Sequence, residues 1–295
     1  MKPLSPIILF VYNRPEHTRK TIEALRANNL AKDSELFIYS DGPKDSNSAG
    51  KIQEVRDYLK TVNGFRSVSV IERKENMGLA KSIISGVTEI LDRYGKIIVL
   101  EDDLVTSPYF LQYMNDGLDL YENEERVASV HGFVYPVKQE LPETFFLRGA
   151  DCWGWATWKR AWDRFEPDGK KLLAELESKG LISEFNFDNT RGFSAMLERQ
   201  IAGVNDSWAI RWHTSAFLAN MLTLYPGRTL VDNMGQAGGT HGGRVQFRHA
   251  FEDHSPVRVG NIVVEENTEA RDIFKDYFHS LKPSILRRII NKIRQ

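Results

Sequence analysis

Four short apolar runs, each followed by a segment of helical periodicity, limit this chain to few folds. The first run, Pro6 to Tyr12, is broken by Asn13-Arg14-Pro15-Glu16, where proline suits the first turn of a helix. Ile22 and Leu25 give that helix, residues 15–28, its apolar stripe. The second run, Glu35 to Ser40, ends in Asp41-Gly42-Pro43, a strong turn signal, and Ile52, Val55, Leu59 and Val62 follow at helical spacing. The third, Ser67 to Ile71, precedes the stripe Leu79, Ile83, Val87, Ile90 and Leu91. After the fourth, Lys96 to Leu100, Ser107 reads as an N-cap with Pro108 at the first helical position, and Phe110, Leu111, Met114 and Leu118 face inward. Strands alternating with helices in this way predict an α/β fold: a mostly parallel central sheet, right-handed crossovers and helices on both faces.

The fourth run leads straight into Glu101-Asp102-Asp103. A continuous apolar run of this length reads as a strand buried on both faces. The carboxylates then fall at its C-terminal edge, where open α/β sheets bind ligands. Adjacent like charges repel, so a cation should balance at least one of them. A hard divalent ion carrying phosphates fits, since such ions take one or two carboxylates plus phosphate oxygens; a solvated acidic turn is the plain alternative. Neither G-x-G-x-x-G after the first strand nor G-x-x-x-x-G-K-[ST] occurs. Nucleotide binding would therefore use side chains and a metal.

Beyond residue 125 the pattern changes. Val127 to Val130 and Phe145 to Leu147 read as strands. Trp153, Trp155, Trp158 and Trp162 follow Asp151 closely, with Gly154 between the first two. Indoles so placed suit a platform for the apolar face of a sugar ring, with core packing as the alternative. Leu172, Leu173 and Leu176, then Phe193, Met196, Leu197 and Ile201, mark helices, and Asn205-Asp206-Ser207-Trp208 opens another. Gly235 to Gly243 is a glycine-rich loop carrying His241, of a composition that suits closure over a ligand. Residues 282–295 hold five basic side chains, no acidic one, and the stripe Ile285, Leu286, Ile289, Ile290 and Ile293. That pattern fits an interfacial helix on anionic lipid or a terminal helix packed on the domain.

Composition sets outer limits. At 41% hydrophobic and 27% charged residues a packed core is expected. A net charge of −1 argues against nucleic-acid binding. Cys152 is the single cysteine, which excludes an intrachain disulfide and fits a reducing cytoplasm. The run Ile7 to Val11 is too short to span a bilayer or form a signal-peptide core.

Four pieces in order, Tyr12-Asn13-Arg14-Pro15-Glu16, Ser40-Asp41-Gly42, Arg73 to Lys81 with Asn76 and Gly78, and Glu101-Asp102-Asp103, resemble GT-A type nucleotide-sugar glycosyltransferases, the group that includes family 2 enzymes. The E-D-D form of the metal motif is similar to that of the animal Golgi N-acetylglucosaminyltransferase that initiates complex N-glycans. That likeness extends to Asn205-Asp206-Ser207-Trp208 and Thr240-His241-Gly242. The resemblance covers residues 1–125 best.

The resemblance implies a single GT-A domain with a nucleotide-sugar-binding half (1–125), an acceptor-binding half (126–255) and a C-terminal extension (256–295). It implies Mn²⁺ or Mg²⁺ on Asp103, with His241 as a second ligand or a hydrogen-bond partner of the diphosphate. Tyr12, Asn13 and Arg14 would line the nucleobase pocket. Asp41 would accept from a uracil imide, or simply cap its turn. Asn76, Gly78 and Lys81 would hold base and phosphates, Gly78 by close backbone approach, with a helix cap as the alternative for Asn76. Glu101 and Asp102 would serve the nucleotide-sugar, Asp102 at the ribose or donor sugar. Asp206 would be the general base or an ordinary N-cap, with Asp151 as the other candidate base. Trp153, Trp155 and Trp208 would meet the acceptor. The expected activity is metal-dependent, inverting transfer from a UDP-sugar to a hydroxyl of a glycan or lipid-linked acceptor. It would serve surface polysaccharide or lipopolysaccharide synthesis in the cytoplasm, with peripheral membrane contact through the tail. The rivals are a sugar-nucleotide nucleotidyltransferase, which usually opens with a glycine-rich loop that Val11 to Pro15 does not provide, and a non-catalytic carbohydrate-binding protein built on the tryptophans.

Overall fold

Residues 3–235 and 255–281 are described by a computed structural model; His241 and the tail from Lys282 lie outside them. The first elements follow the expected alternation: β1 (Ile7–Val11), α1 (Pro15–Arg26), β2 (Glu35–Ser40), α2 (Ser46–Leu59), β3 (Ser67–Glu72), α3 (Leu79–Tyr94) and β4 (Lys96–Glu101). Next come β5 (Leu104–Thr106), α4 (Phe110–Leu120), β6 (Val127–His131), β7 (Thr144–Arg148), β8 (Trp155–Trp158) and α5 (Lys159–Trp162). The chain continues with α6 (Gly169–Ser178), α7 (Ile182–Phe185), α8 (Phe193–Ile201), α9 (Trp208–Leu218), β9 (Leu222–Pro226), β10 (Val231–Asn233) and α10 (Thr268–Leu281).

Eight strands form one sheet in the order β3-β2-β1-β4-β8-β6-β9-β7. The pairs from β3 to β4 are parallel, β8 runs antiparallel to both β4 and β6, β9 is parallel to β6, and β7 closes the edge antiparallel. The mostly parallel α/β sheet expected from the sequence is thus present, consistent with a GT-A fold. Residue 125 lies between α4 and β6, and strands from both sides of it belong to this one sheet.

Strand periodicity sends alternate side chains to opposite faces. Ile7, Leu9, Ile98 and Leu100 pack with Ile22 and Leu25 of α1 on one side. Ile8, Phe10, Ile97 and Val99 pack with Ile83, Val87 and Ile90 of α3 on the other. Both faces are covered, so the central strands read as unbroken apolar runs.

Two local expectations are corrected. The helix after Ser107 starts only at Phe110: the Ser107 carbonyl accepts from Phe110 N–H (3.1 Å) and its hydroxyl from Tyr109 N–H (3.3 Å), which makes a turn. From Trp155 on, the tryptophan stretch is no exposed platform, because Trp155 to Trp158 is the buried strand β8. Trp155 and Trp208 are 1% and 2% exposed and stack at 5.4 Å in the core beside Trp212. Trp153 is half-buried, edge-on to Phe133 at 4.8 Å. Indole area of this size contributes most when it is removed from water.

The N-terminus of α4 is satisfied from a distance. Asn28 Oδ1 accepts from Leu111 N–H (2.9 Å), and its Nδ2 donates to the Ala24 carbonyl and the Thr106 hydroxyl (3.0 Å each). Asn28→Ala should strand the buried Leu111 N–H and cost about 1–3 kcal/mol, read as a lower urea midpoint at unchanged m-value.

Candidate active site

Strand order reverses at β1, which has β2 on one side and β4 on the other. Ligands of open α/β sheets bind in the crevice outside the strand ends at such a point. Tyr12 to Arg14 leave one lip and Glu101 to Asp103 form the other, with Phe10 and Glu101 paired in register. Arg14 crosses the crevice: its Nη1 lies 3.0 Å from Asp103 Oδ2 and 3.7 Å from Asp102 Oδ1. One cation beside the acidic triplet is thus a side chain of the chain itself.

Burial first, and the neighbouring Asp103 charge next, push the Glu101 and Asp102 carboxyls well above the usual carboxylate range, while Arg14 pulls both down. The backbone of the turn is fixed: the Thr21 hydroxyl donates to the Asp102 carbonyl (2.9 Å), and Met234 N–H to that of Asp103 (2.8 Å). Strand β10 pairs with β5 directly after the acidic turn. It brings Gly235 so close that a Cβ there would run into the Asp103 carboxylate.

Asp41, Asn76 and Gly78 do come together, but on one another. Asp41 is buried and accepts from Gly42 N–H (3.0 Å), Met77 N–H (3.0 and 3.1 Å), Gly78 N–H (3.1 Å) and Asn76 Nδ2 (3.2 Å). Asn76 also donates to the Gly42 carbonyl (2.9 Å), so it cross-links the turn and caps no helix. Gly78, at φ +74°, is the N-cap of α3, a conformation that favours glycine. The Tyr12 hydroxyl accepts from Lys44 N–H (3.2 Å), Asn13 is half-buried, and Lys81 is exposed in the first turn of α3.

Asp206 is not the cap of α9. Ser207 is, accepting from Ile210 N–H (3.3 Å). Asp206, with its side chain 64% exposed, accepts instead from Ala80 N–H at the start of α3 (3.3 Å). Asp151 reaches the same sheet edge by topology, since β8 is antiparallel to β4 and the residues before it lie past the C-terminal end of β4. Asp151 Oδ2 accepts from the Tyr225 hydroxyl (2.9 Å). Burial, then the charges of Glu101, Asp151 and Asp103, hold the Cys152 thiol well above its usual range, so one negative field spans both carboxylate groups.

Sequence reading missed the side-chain role of Arg14, and also His131 and Tyr225. The Arg14 signal was present, as a cation directly after the strand that neighbours the acidic one. Among the described residues no group of three or more His, Cys, Asp or Glu side chains is arranged to hold a metal ion.

Residues 7–154, half of the 295-residue chain, match the family model of glycosyl transferase family 2. The chain belongs to this family. Similar solved structures include the mannosyltransferase PcManGT of Pyrobaculum calidifontis in complex with GDP-Man and Mn²⁺ (16% identity, 46% of this chain and 37% of that one, TM-score 0.35). They also include S. aureus TarS (15%, 49% and 24%, TM-score 0.31) and a putative nucleotide-diphospho-sugar transferase of Desulfovibrio desulfuricans (12%, 56% and 68%, TM-score 0.35). The chain thus spans well under half of the first two. No curated protein matches it.

His131, 1% exposed, accepts from Trp153 N–H at Nε2 (3.2 Å) and leaves Nδ1 without a partner. Burial pushes its pKa down to about 4, against a weaker upward pull from Asp151. Below pH 6.5 the unfolded chain then binds a proton here that the folded chain refuses, so stability falls as pH drops from about 6.5 to about 4. The full loss is about 3 kcal/mol. His131→Gln should flatten that part of the acid denaturation profile, measured as urea midpoint against pH.

Proposed function

We propose that this family 2 chain is a glycosyltransferase that uses Mn²⁺ or Mg²⁺ and a nucleotide-sugar donor, a UDP-sugar, and transfers the sugar with inversion to a hydroxyl of a glycan or lipid-linked acceptor. The observation that carries the reading is the crowded acidic end of β4, where burial and mutual repulsion hold Glu101 and Asp102 above the carboxylate range. A site with that electrostatics gains from a bound cation. Its all-oxygen donors fit a hard ion completed by phosphate oxygens rather than a cage of protein ligands. Asp103 would hold the ion, with Asp102 beside it for the ribose or donor sugar. When bound there, the ion supplies Lewis-acid stabilisation for the departing diphosphate. Arg14, already in contact with Asp103, adds fixed positive charge at the same place.

Asp206 is the proposed general base. Ser207 relieves it of capping, and its carboxylate is open to an incoming hydroxyl. Deprotonated attack opposite the diphosphate inverts the anomeric centre. Asp151 is the second candidate, already engaged by Tyr225. The burial of Trp155 and Trp208 removes the support for a lectin-like reading. For Asp41 to accept from a uracil imide, one of its present donors must release it. The base preference is therefore tested by screening UDP-, GDP- and dTDP-sugars for hydrolysis with Mn²⁺. No helix among the described residues is long and apolar enough to cross a membrane. Contact of residues 282–295 with the inner face of the cell membrane, and a cytoplasmic role in surface polysaccharide or lipopolysaccharide synthesis, belong to the same proposal.

Asp103→Ala should abolish metal-dependent UDP binding, measured by calorimetry with and without Mn²⁺, and leave the circular dichroism spectrum unchanged. Unaltered metal-dependent binding refutes the metal assignment.

Asp206→Asn should keep UDP–Mn²⁺ binding and lower turnover about 10²–10⁴-fold, while Asp151→Asn stays close to wild type. The reverse pattern moves the base to Asp151.

A further inference from the structure

The segment after α7 has three consecutive non-glycine residues in the left-handed region: Phe187 (φ 48°), Asp188 (φ 51°) and Asn189 (φ 63°). Such backbone persists only where its surroundings over-determine it, and it gathers at ligand sites. Here Arg271 of α10 holds Asp188 (2.8 Å), and Asn189 Nδ2 donates to the Ser183 hydroxyl (2.8 Å). The turned chain delivers Arg191 into a ring cage, its guanidinium 4.5 Å from Phe278, 5.2 Å from Phe193 and 5.9 Å from Tyr135.

The cage holds the cation without using its N–H donors. Nε of Arg191 is buried with no partner, and among the described residues none accepts a hydrogen bond from the guanidinium or pairs with it. Two other half-buried arginines that lie over rings behave otherwise. Arg160 also lies over a ring, Trp158 at 4.4 Å, but donates to the carbonyls of Glu122, Val127 and Tyr121. Arg148 lies over Phe217 and pairs with Glu184.

Tyr135 follows β6, which is antiparallel to β8, so it reaches the same sheet edge as Asp151 and the acidic turn. Asp151 and Arg191 act in opposite senses on the same two buried groups, the Tyr135 hydroxyl and the His213 ring. The guanidinium, 5.9 Å from the Tyr135 ring, therefore belongs to the same end of the sheet as Asp151, the second candidate base. A planar, caged fork with unused donors matches an oxyanion.

We infer that the acceptor carries an anionic group, a phosphate or a carboxylate, that seats on Arg191; this rests on the transferase reading above. The test titrates protein saturated with UDP and Mn²⁺ with inorganic phosphate, glucuronate and methyl glucoside. At least one anion should bind about tenfold tighter than the neutral sugar, and which one does so separates phosphate from carboxylate. Arg191→Met, which keeps an unbranched apolar stem against the rings, should erase that advantage. Arg191→Lys, which keeps the charge and loses the fork, should retain part of it, and it carries the comparison if the methionine variant does not fold. UDP–Mn²⁺ affinity should be the same in all three proteins. Anion binding no tighter than methyl glucoside, or equal in wild type and variants, overturns the inference. Failure of wild type to bind UDP overturns the donor reading instead, and the same titrations without UDP still read Arg191.

Discussion

A strand buried on both faces cannot spread charge into solvent until its last residue, so carboxylates at its end need compensation close at hand. Glu101, Asp102 and Asp103 leave β4 in this position, and the neighbouring elements are set by it. Arg14 comes across from the end of β1 to within 3.0 Å of Asp103. The Thr21 hydroxyl of α1 holds the Asp102 carbonyl, and Met234 N–H that of Asp103. None of these contacts neutralises all three groups, since Glu101 and Asp102 still stand above the carboxylate range. Burial first and the Asp103 charge next are what raise them, so a cation added at this topological switch point would favour their ionised forms.

The second half of the chain reaches this place by reversing direction. Strand β8 pairs antiparallel with β4, which turns the residues before it, Asp151 to Gly154, back toward the acidic turn. The indoles that look like a binding surface are what fixes this arrangement. Trp155 stacks on Trp208 and neighbours Trp162 and Trp212, joining β8, α5 and α9 in one core with α3. That packing puts the start of α9 against the start of α3, where Asp206 meets Ala80 N–H.

The parallel half of the sheet was legible because burial on both faces leaves runs such as Ile97 to Leu100 with no polar interruption. Strand β8 was not: Trp155 to Trp158 is short and aromatic, and nothing in its local spacing separates a core strand from an exposed platform. Strand β9 begins only four residues after α9 ends, and β10 has three residues, too few for a period to register. At the site, Asp41, Asn76, Gly78 and the acidic turn were legible because each sits at a strand end or a turn. His131, Tyr225 and Arg191 were not, since their places depend on pairing between distant segments. His131 faces Trp155 across a strand pair, and Tyr225 meets Asp151 from 74 residues away.

Asp41 changes meaning once its partners are known. An ionised carboxylate has about four lone-pair sites, and backbone N–H groups of Gly42, Met77 and Gly78 with the Asn76 amide occupy them. Its first task is therefore to hold the loop that ends in Gly78 and starts α3. Asp206 takes hold of the same stretch from the other side, two residues on, at Ala80. A nucleobase that drew Asp41 away from Met77 or Gly78 would loosen the anchorage of the helix start to which the proposed base is bonded. On the proposed roles of Asp41 and Asp206, donor and acceptor sides would thus be linked through residues 76–80 by hydrogen bonds, with no movement of the sheet required.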